Sequence, residues 1–570
     1  MLYILSVFSF MQITKLIYRG LLYTFLLLLV AACSGGSEEE DDPASPDTGE
    51  DPPAHVDPPT SGKASRFLQQ TTFGATTESI NDVVERGFEG WIDWQMTLPI
   101  TKHTDYYNQF TYDPESTWSL YVDAWWHRSL QADDQLRQRV AFALSEIWVV
   151  SQYGVSSGGI EGNQSLSNYY DILLQHSFGN YRDLMQDVTL NPVMGEYLSM
   201  LRNRKPDLER NIRPDENYAR ELMQLFTVGL VELNLDGSPK LDAQGNTIPT
   251  YDQADIEGLA HVFTGWTWQN AERFWWWGEN RDLISPMKVF PEFHAEGEKR
   301  IINGGIIPAG QTPEQDLAQA LDHIFNHPSV GPFVAKQLIQ KLVTSNPSPE
   351  YVERVATRFN DNGSGVRGDM KAVIKAILLD EEAISGVVSH GKPFGKLKEP
   401  ILRLSAFWRA FDATSGNGTY EFRWVDNDFA QGPLKSPSVF NFFSPSYQPA
   451  GALKDADIVA PEFEIHTEGT MAKMTNHLHW RSVSMNSFER PSPEAKDIIV
   501  DYSVERDLVS ASDDELIEHL NILLLAGTMS DHMKTVLRDY LTTIDADNPE
   551  RKATEAISLV ITSPEFAVQR

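Results

Sequence analysis

The 570-residue chain holds a single cysteine, Cys33, and no other feature constrains its fold as much. No disulfide can form within the chain, no pair of thiolates can clamp a metal, and no cysteine nucleophile exists beyond position 33. Residues 64–570 must therefore be held together by their own apolar core, and a body of that length has ample surface to bury.

Cys33 closes a leader with a definite pattern. Lys15 and Arg19 are the only charged residues before it, an apolar run covers Leu21 to Val30, and the small pair Ala31-Ala32 follows. A basic start, a short apolar stretch and small residues at the cut describe a secretory signal peptide over residues 1–32. The run is shorter than the roughly 20 apolar residues that span a bilayer. The segment Val30-Ala31-Ala32-Cys33 resembles a bacterial lipobox, which implies a lipid on the Cys33 thiol and a membrane anchor. The alternative is a cleaved signal with an incidental cysteine; the spacing and the following tract favour the anchor. Met1 to Phe10 place apolar residues ahead of the basic ones, so initiation at Met11 gives the more conventional signal.

Residues 34–63 contain nine acidic residues, six prolines and one lysine. Such a tract cannot offset its ordering entropy by burial, which predicts a disordered tether. Proline and charge repulsion extend it at about 3 Å per residue, for a reach on the order of 90 Å. Ser34, rather than Asp, follows the cysteine, and by resemblance to bacterial sorting rules this points to the outer membrane. Of the formal charge of −33, the leader carries +2 and the tether −8, leaving −27 for residues 64–570. A body this acidic repels phosphate backbones and disfavours nucleic-acid binding.

The periodicity of the body is mostly helical. Thr76 is placed to cap a helix with Ile80, Val83 and Val84 on one face, ended by Gly87. Asp133 or Asp134 caps the next, where Leu136, Val140, Ala143, Leu144 and Ile147 recur at helical spacing. Arg213-Pro214-Asp215-Glu216 reads as a helix start, with proline in the first turn and acids at the positive end. Further helices fit Asp252 to Phe263, Thr312 to Phe325, Glu350 to Phe359, Asp369 to Leu379, Asp514 to Leu525 and Asn548 to Ile561. Asp236-Gly237 and Gly245-Asn246 mark a hairpin. Long loops rich in aromatics, Gly and Pro cover Asn270 to Gly310 and Gly416 to Pro461. The expectation is a mainly α fold: one large multi-helix domain over 64–570 with long ordered loops and a small β-hairpin.

Several phrases in this body are recognisable. They are RFLQQTTFGAT from Arg66, DQLRQRVAFALSEIWVVS from Asp134 and HSFGNYRDLMQDVTLNPVMGEYLSMLRN from His176, then PDENYARELMQLFTVGL from Pro214, HPSVGPFVAKQLIQKLVTSNPSPEYVERV from His327 and SVFNFFSP from Ser438. Together they resemble a bacterial family, domain of unknown function 1800, over essentially Ala64 to Arg570. The resemblance implies export and no established activity. It also implies a candidate partner, because the genes of such proteins often lie beside those of the domain of unknown function 1501 family, which looks like a sulfatase or alkaline-phosphatase relative.

The common catalytic signatures are missing: no GxSxG elbow and no HExxH helix occurs. Gly386 to Pro393 nearly fits a P-loop, but Pro393 stands where magnesium needs Ser or Thr. Asn360 to Gly365 begins like a calcium loop, yet Lys371 stands where a bidentate glutamate is required, so a turn is expected. The Pro214 segment is the richest candidate. Asn217, Arg220, Glu221 and Gln224 fall at i, i+3, i+4 and i+7, and Glu216 can pair with Arg220. A solvated face with a weak salt bridge is the bland account. As a site, Glu221 would be a base or metal ligand and Arg220 an anion clamp, with Asn217 and Gln224 binding substrate. His261, before Gly265-Trp266, and His294, near Glu296 and Lys299, are otherwise packing residues; if they meet Glu221 they form a two-histidine, one-carboxylate set for a divalent metal. Trp275, Trp276 and Trp277 follow Phe274 and suit either a cover over the core or stacking on sugar rings. Arg139 and Glu146 share a face in an apolar segment and are expected to form a buried structural pair. The function expected is an envelope enzyme with its pocket beside the Pro214 helix, His261 among its catalytic residues, acting with a co-exported partner on a surface or imported polymer. The alternative is a non-catalytic lipoprotein that binds glycan or assists surface assembly.

Overall fold

Helix starts in this protein are set by Thr, Ser, Asp and Asn side chains that satisfy the free amides of the first turn. In the computed structural model, which describes residues 58–570 except 110–117, 157–158, 277, 279–280, 387–392 and 489–495, Asp252 and Asp255 form a reciprocal capping box. Thr312 does the same with Gln315, and Asp369 accepts from the amides of Lys371 and Ala372. The helices Gln253–Val262, Pro313–Phe325, Pro349–Asn360, Met370–Leu378, Asp513–Leu525 and Pro549–Ile561 lie within one residue of their predicted bounds. The leader, Cys33 and most of the tether lie outside the described residues, as does nearly all of the P-loop-like run.

Four local expectations are corrected. Thr76 caps its helix as predicted, but Gly87, at φ 69°, kinks rather than ends it, and helical turns continue to Thr97. Thr60 caps a helix Ser61–Thr71, so Ser61 to Lys63 belong to the body and not to the tether. Asp134 holds the cap position of Gln135–Ser145 but gives its carboxylate to the Thr101 amide at 3.1 Å instead. The helix predicted from Pro214 begins only at Asn217, whose amide bonds the Asp215 carboxylate at 2.8 Å. After Glu221 it widens into a π-helix, Leu222–Thr227, in which the Thr227 hydroxyl reaches the Leu222 carbonyl.

The architecture is mainly helical with small two-stranded sheets. Trp266–Thr267 pairs with Lys288–Val289 and Lys299–Ile301 with Gly305–Ile307, so the predicted 270–310 loop carries strands of its own. The predicted hairpin spans 231–249 as isolated bridges, Val231 to Pro249, Leu233 to Pro239 and Leu241 to Thr247. Asn360 to Gly365 is the expected turn, with the Asp361 carboxylate accepting from the amides of Gly363 and Gly365.

The core is dense in aromatics. Phe73, Trp125, Trp126 and Trp408 meet edge to face at centroid distances of 4.8–5.2 Å, each such pair adding about 0.5–1.5 kcal/mol beyond its burial. Val330–Leu342 packs against Pro349–Asn360 and Gln135–Ser145. The C-terminal residues are tied in: Gln569 Nε2 donates to the carbonyls of Leu342 and Val343, and Arg66 Nε donates to the Arg570 carbonyl. Among the described residues no helix is long and apolar enough to cross a membrane.

Candidate functional site

The helix Gln253–Val262 buries Ile256, Leu259 and Ala260 and leaves Gln253, Glu257 and His261, spaced i, i+4 and i+8, on its outer side. Facing them is an irregular segment before Asn217. Asn203 holds it by accepting from the Asp215 amide at 2.8 Å and donating to the Asp215 carbonyl at 3.0 Å. Asp207 and Ile212 exchange backbone bonds, with Asn211 at φ 53°, and this turn projects Leu208 outward at 88% exposure.

Between helix and segment lies a cleft of about 270 Å³. Pro206, Leu208, Pro214 and Ala260 form its apolar wall, and Arg213, Glu216, Glu257 and His261 its polar one. Glu216 and Glu257 are tied through one nitrogen: Gln253 Nε2 donates to Glu216 at 3.0 Å and to Glu257 at 3.3 Å. Glu216 also accepts from Arg220 at 3.0 Å, the i, i+4 pair expected from the sequence. Burial, then the nearby Lys299 ammonium, lower the His261 pKa against the pull of Glu257, which favours the neutral imidazole. No hydrogen bond to its ring occurs among the described residues. A neutral ring nitrogen in a cleft that also holds carboxylates can accept a proton from a hydroxyl or water.

The predicted site residues are only partly brought together. His261 is in the cleft, as is Pro214, but neither Arg220 nor Glu221 lines it. Glu221 does not share a solvated face with Asn217: it is 6% exposed and its Oε2 has no hydrogen-bond partner among the described residues. Burial raises its pKa, opposed by Arg220. Asn217 is exposed, and Gln224 is half-buried within the π-helix, which breaks the i+7 register assumed for a regular helix.

His294 is 1% exposed and both its nitrogens are taken. Nδ1 meets the Thr264 carbonyl at 2.9 Å and Nε2 meets Asp316 at 3.0 Å, while Lys299 Nζ approaches the same Asp316 oxygen at 2.6 Å. This buried triad secures the end of the His261 helix, because the Thr264 hydroxyl donates to the His261 carbonyl at 2.7 Å. The His261, His294 and Glu221 metal set is therefore not assembled, and among the described residues no three His, Cys, Asp or Glu side chains are placed to hold an ion.

The aromatic run divides. Phe274 is buried and stacks on Phe293 at 4.2 Å, Trp275 is 45% exposed, and Trp276 is half-buried. Trp277 lies outside the described residues. Arg204, two positions before Pro206 in the cleft wall, lies 6.0 Å over the Trp275 ring, and the Lys205 amide bonds the Phe293 carbonyl at 2.8 Å. The exposed indole and the cleft thus share one supporting segment.

A second polar constellation escaped the sequence. Arg139 donates to the Lys341 carbonyl at 2.8 Å and Glu146 meets Lys341 Nζ at 3.5 Å. The expected direct Arg139–Glu146 pair therefore does not form among the described residues, and both side chains belong to a larger buried network. Its other members, Lys396, Glu399, Gln431 and Glu462, come from segments whose periodicity gave no sign of convergence.

Residues 66–568 match the family described as Protein of unknown function (DUF1800). No curated protein and no solved structure matches the chain. A match over nearly the whole body places this chain in the DUF1800 family.

Proposed function

We propose that the protein is a lipid-anchored envelope enzyme whose cleft engages a hydroxyl-rich polymer, such as a surface or imported glycan, and acts on it by acid–base chemistry. The observation that carries this reading is that His261, Glu257 and Glu216 line one cleft of about 270 Å³. Size and lining suit a short stretch of polymer, with Pro206 and Leu208 against its apolar faces and the carboxylates on its hydroxyls. Anchoring through Cys33 at the outer membrane and work beside a partner of the domain of unknown function 1501 family complete the proposal. Its test is to incubate the full-length protein in detergent with a panel of neutral and charged polysaccharides, measuring binding and new reducing ends. His261→Ala and Glu257→Gln are expected to abolish product formation while polymer is still bound; products formed at the wild-type rate by both variants would overturn the catalytic reading. For the anchor, Cys33→Ser is expected to end palmitate labelling and membrane fractionation.

A second reading, glycan binding without catalysis, draws on the exposure of Trp275. It is favoured if Trp275→Ala loses binding and no polysaccharide is cleaved.

A further inference from the structure

Lys396 and Lys398 stand two residues apart and both are buried, but only the first is paired. Lys396 Nζ meets Glu399 at 3.3 Å, Glu462 at 3.2 Å and the carbonyls of Gln340 and Lys341 at 3.0 Å each. Lys398 Nζ lies 4.5 Å from the centre of the Phe566 ring and meets no carboxylate or carbonyl among the described residues. Arg403, in the first turn of the helix Pro400–Ala410, repeats the pattern. Its Nε donates to the Lys398 carbonyl at 3.3 Å, and its Nη1 faces the Met474 sulfur, a weak acceptor, at 3.8 Å. Among the described residues it too has no carboxylate within ion-pair distance.

His466 completes the group. It follows the turn Pro461–Glu464, which Lys396 anchors through Glu462. His466 Nδ1 lies 2.8 Å from the Glu462 carbonyl, which can only accept, so Nδ1 carries the proton. Nε2 is buried with no hydrogen-bond partner among the described residues. Burial, then Arg403, lower the His466 pKa to about 3, so the ring is neutral and Nε2 presents its lone pair. Lys398, Arg403 and His466 are each more than nine-tenths buried. Buried charges are ordinarily paired, because an isolated one carries a large desolvation cost. Here the carboxylates on the same segments, Glu399 and Glu462, turn to Lys396 instead. Burial and Arg403 lower Lys398 to about 7, and burial lowers Arg403 to about 9, with no carboxylate to offset either. Arg403 acts on both of the others, which places two cationic donors and one lone pair in a single polar group.

We propose that Lys398, Arg403 and His466 form a binding site for hydrogen phosphate. The inference is independent of the chemistry assigned to the cleft. The dianion matches the two cations in charge, its unprotonated oxygens accept from Arg403 and Lys398, and its hydroxyl donates to His466 Nε2. Sulfate has the same charge and shape but no hydroxyl, so it would satisfy the cations and leave His466 Nε2 without a donor. The burial of all three residues suits a small free ion rather than a group at the end of a larger molecule.

The test is isothermal titration of the full-length protein in detergent with sodium phosphate and, separately, sodium sulfate, at about pH 7.5 and matched ionic strength. One phosphate per chain is expected to bind saturably, with sulfate weaker by about tenfold or more. Arg403→Met and Lys398→Met, which keep much of the bulk and remove a cation, are each expected to weaken phosphate by about tenfold or more. If Arg403→Met does not fold, Lys398→Met carries the test, since the Lys398 ammonium holds no hydrogen bond among the described residues. Phosphate without saturable binding, sulfate bound as tightly as phosphate, or undiminished phosphate binding in Lys398→Met would each overturn the site.

Discussion

Gly258 and Arg300 are in backbone contact: a Cβ on Gly258 would stand 1.7 Å from the Arg300 carbonyl oxygen. This approach lets the helix Gln253–Val262 lie on the strand Lys299–Ile301, and it sets the height at which Glu257 and His261 enter the cleft. In an exposed helix interior, Gly to Ala gains about 1 kcal/mol. Here overpacking against main chain outweighs that gain, so Gly258→Ala is expected to destabilise by about 1–3 kcal/mol. Chemical denaturation measures it, and a gain in stability would show that helix and strand can part freely.

Asp316 carries the second prediction. It is fully buried and is shared by Lys299 Nζ and His294 Nε2, with Gln311 donating to its other oxygen at 3.1 Å. Asp316→Ala strands a buried ammonium, which typically costs about 3–5 kcal/mol. Adding Lys299→Met removes the stranded charge, so the double variant is expected to recover part of that loss. A double variant no more stable than Asp316→Ala would show that the ion pair is not what matters there.

Local signals proved legible and long-range ones did not. Asp252, Thr312 and Asp369 announce their helices because a cap acts over three residues, and the structure repeats those bounds. Pro214 misled because proline is equally at home in an extended entry segment, and Asp215 supplies the cap to Asn217 instead. Of the candidate site, His261 and the segment around Pro214 were legible. Glu257 was not singled out, and the helix face it shares with Gln253 and His261 becomes a cleft wall only when the 206–214 turn lies opposite. Asp316 and Lys396 escaped because a buried charge is recognised by its partners, and His294 and Glu462 lie on separate segments of the sequence.

Glu221 closes the predictions because it differs most from its expected role. On a solvated face, Glu221→Gln would change stability by no more than about 0.5 kcal/mol at any pH. The carboxyl is instead buried, Oε2 has no hydrogen bond among the described residues, and burial raises its pKa despite Arg220. The folded protein therefore binds this proton more tightly than the unfolded chain does. The stability that Glu221 contributes is fully present below its unfolded pKa, near 4.3, and is lost as pH rises through the higher folded value. Glutamine has no proton to lose. The difference in unfolding free energy, variant minus wild type, is thus expected to move in favour of Glu221→Gln between pH 4.5 and pH 8. Urea denaturation of both proteins at matched pH measures it. A difference that stays constant with pH would return Glu221 to solvent and restore the polar face that the helical spacing suggested.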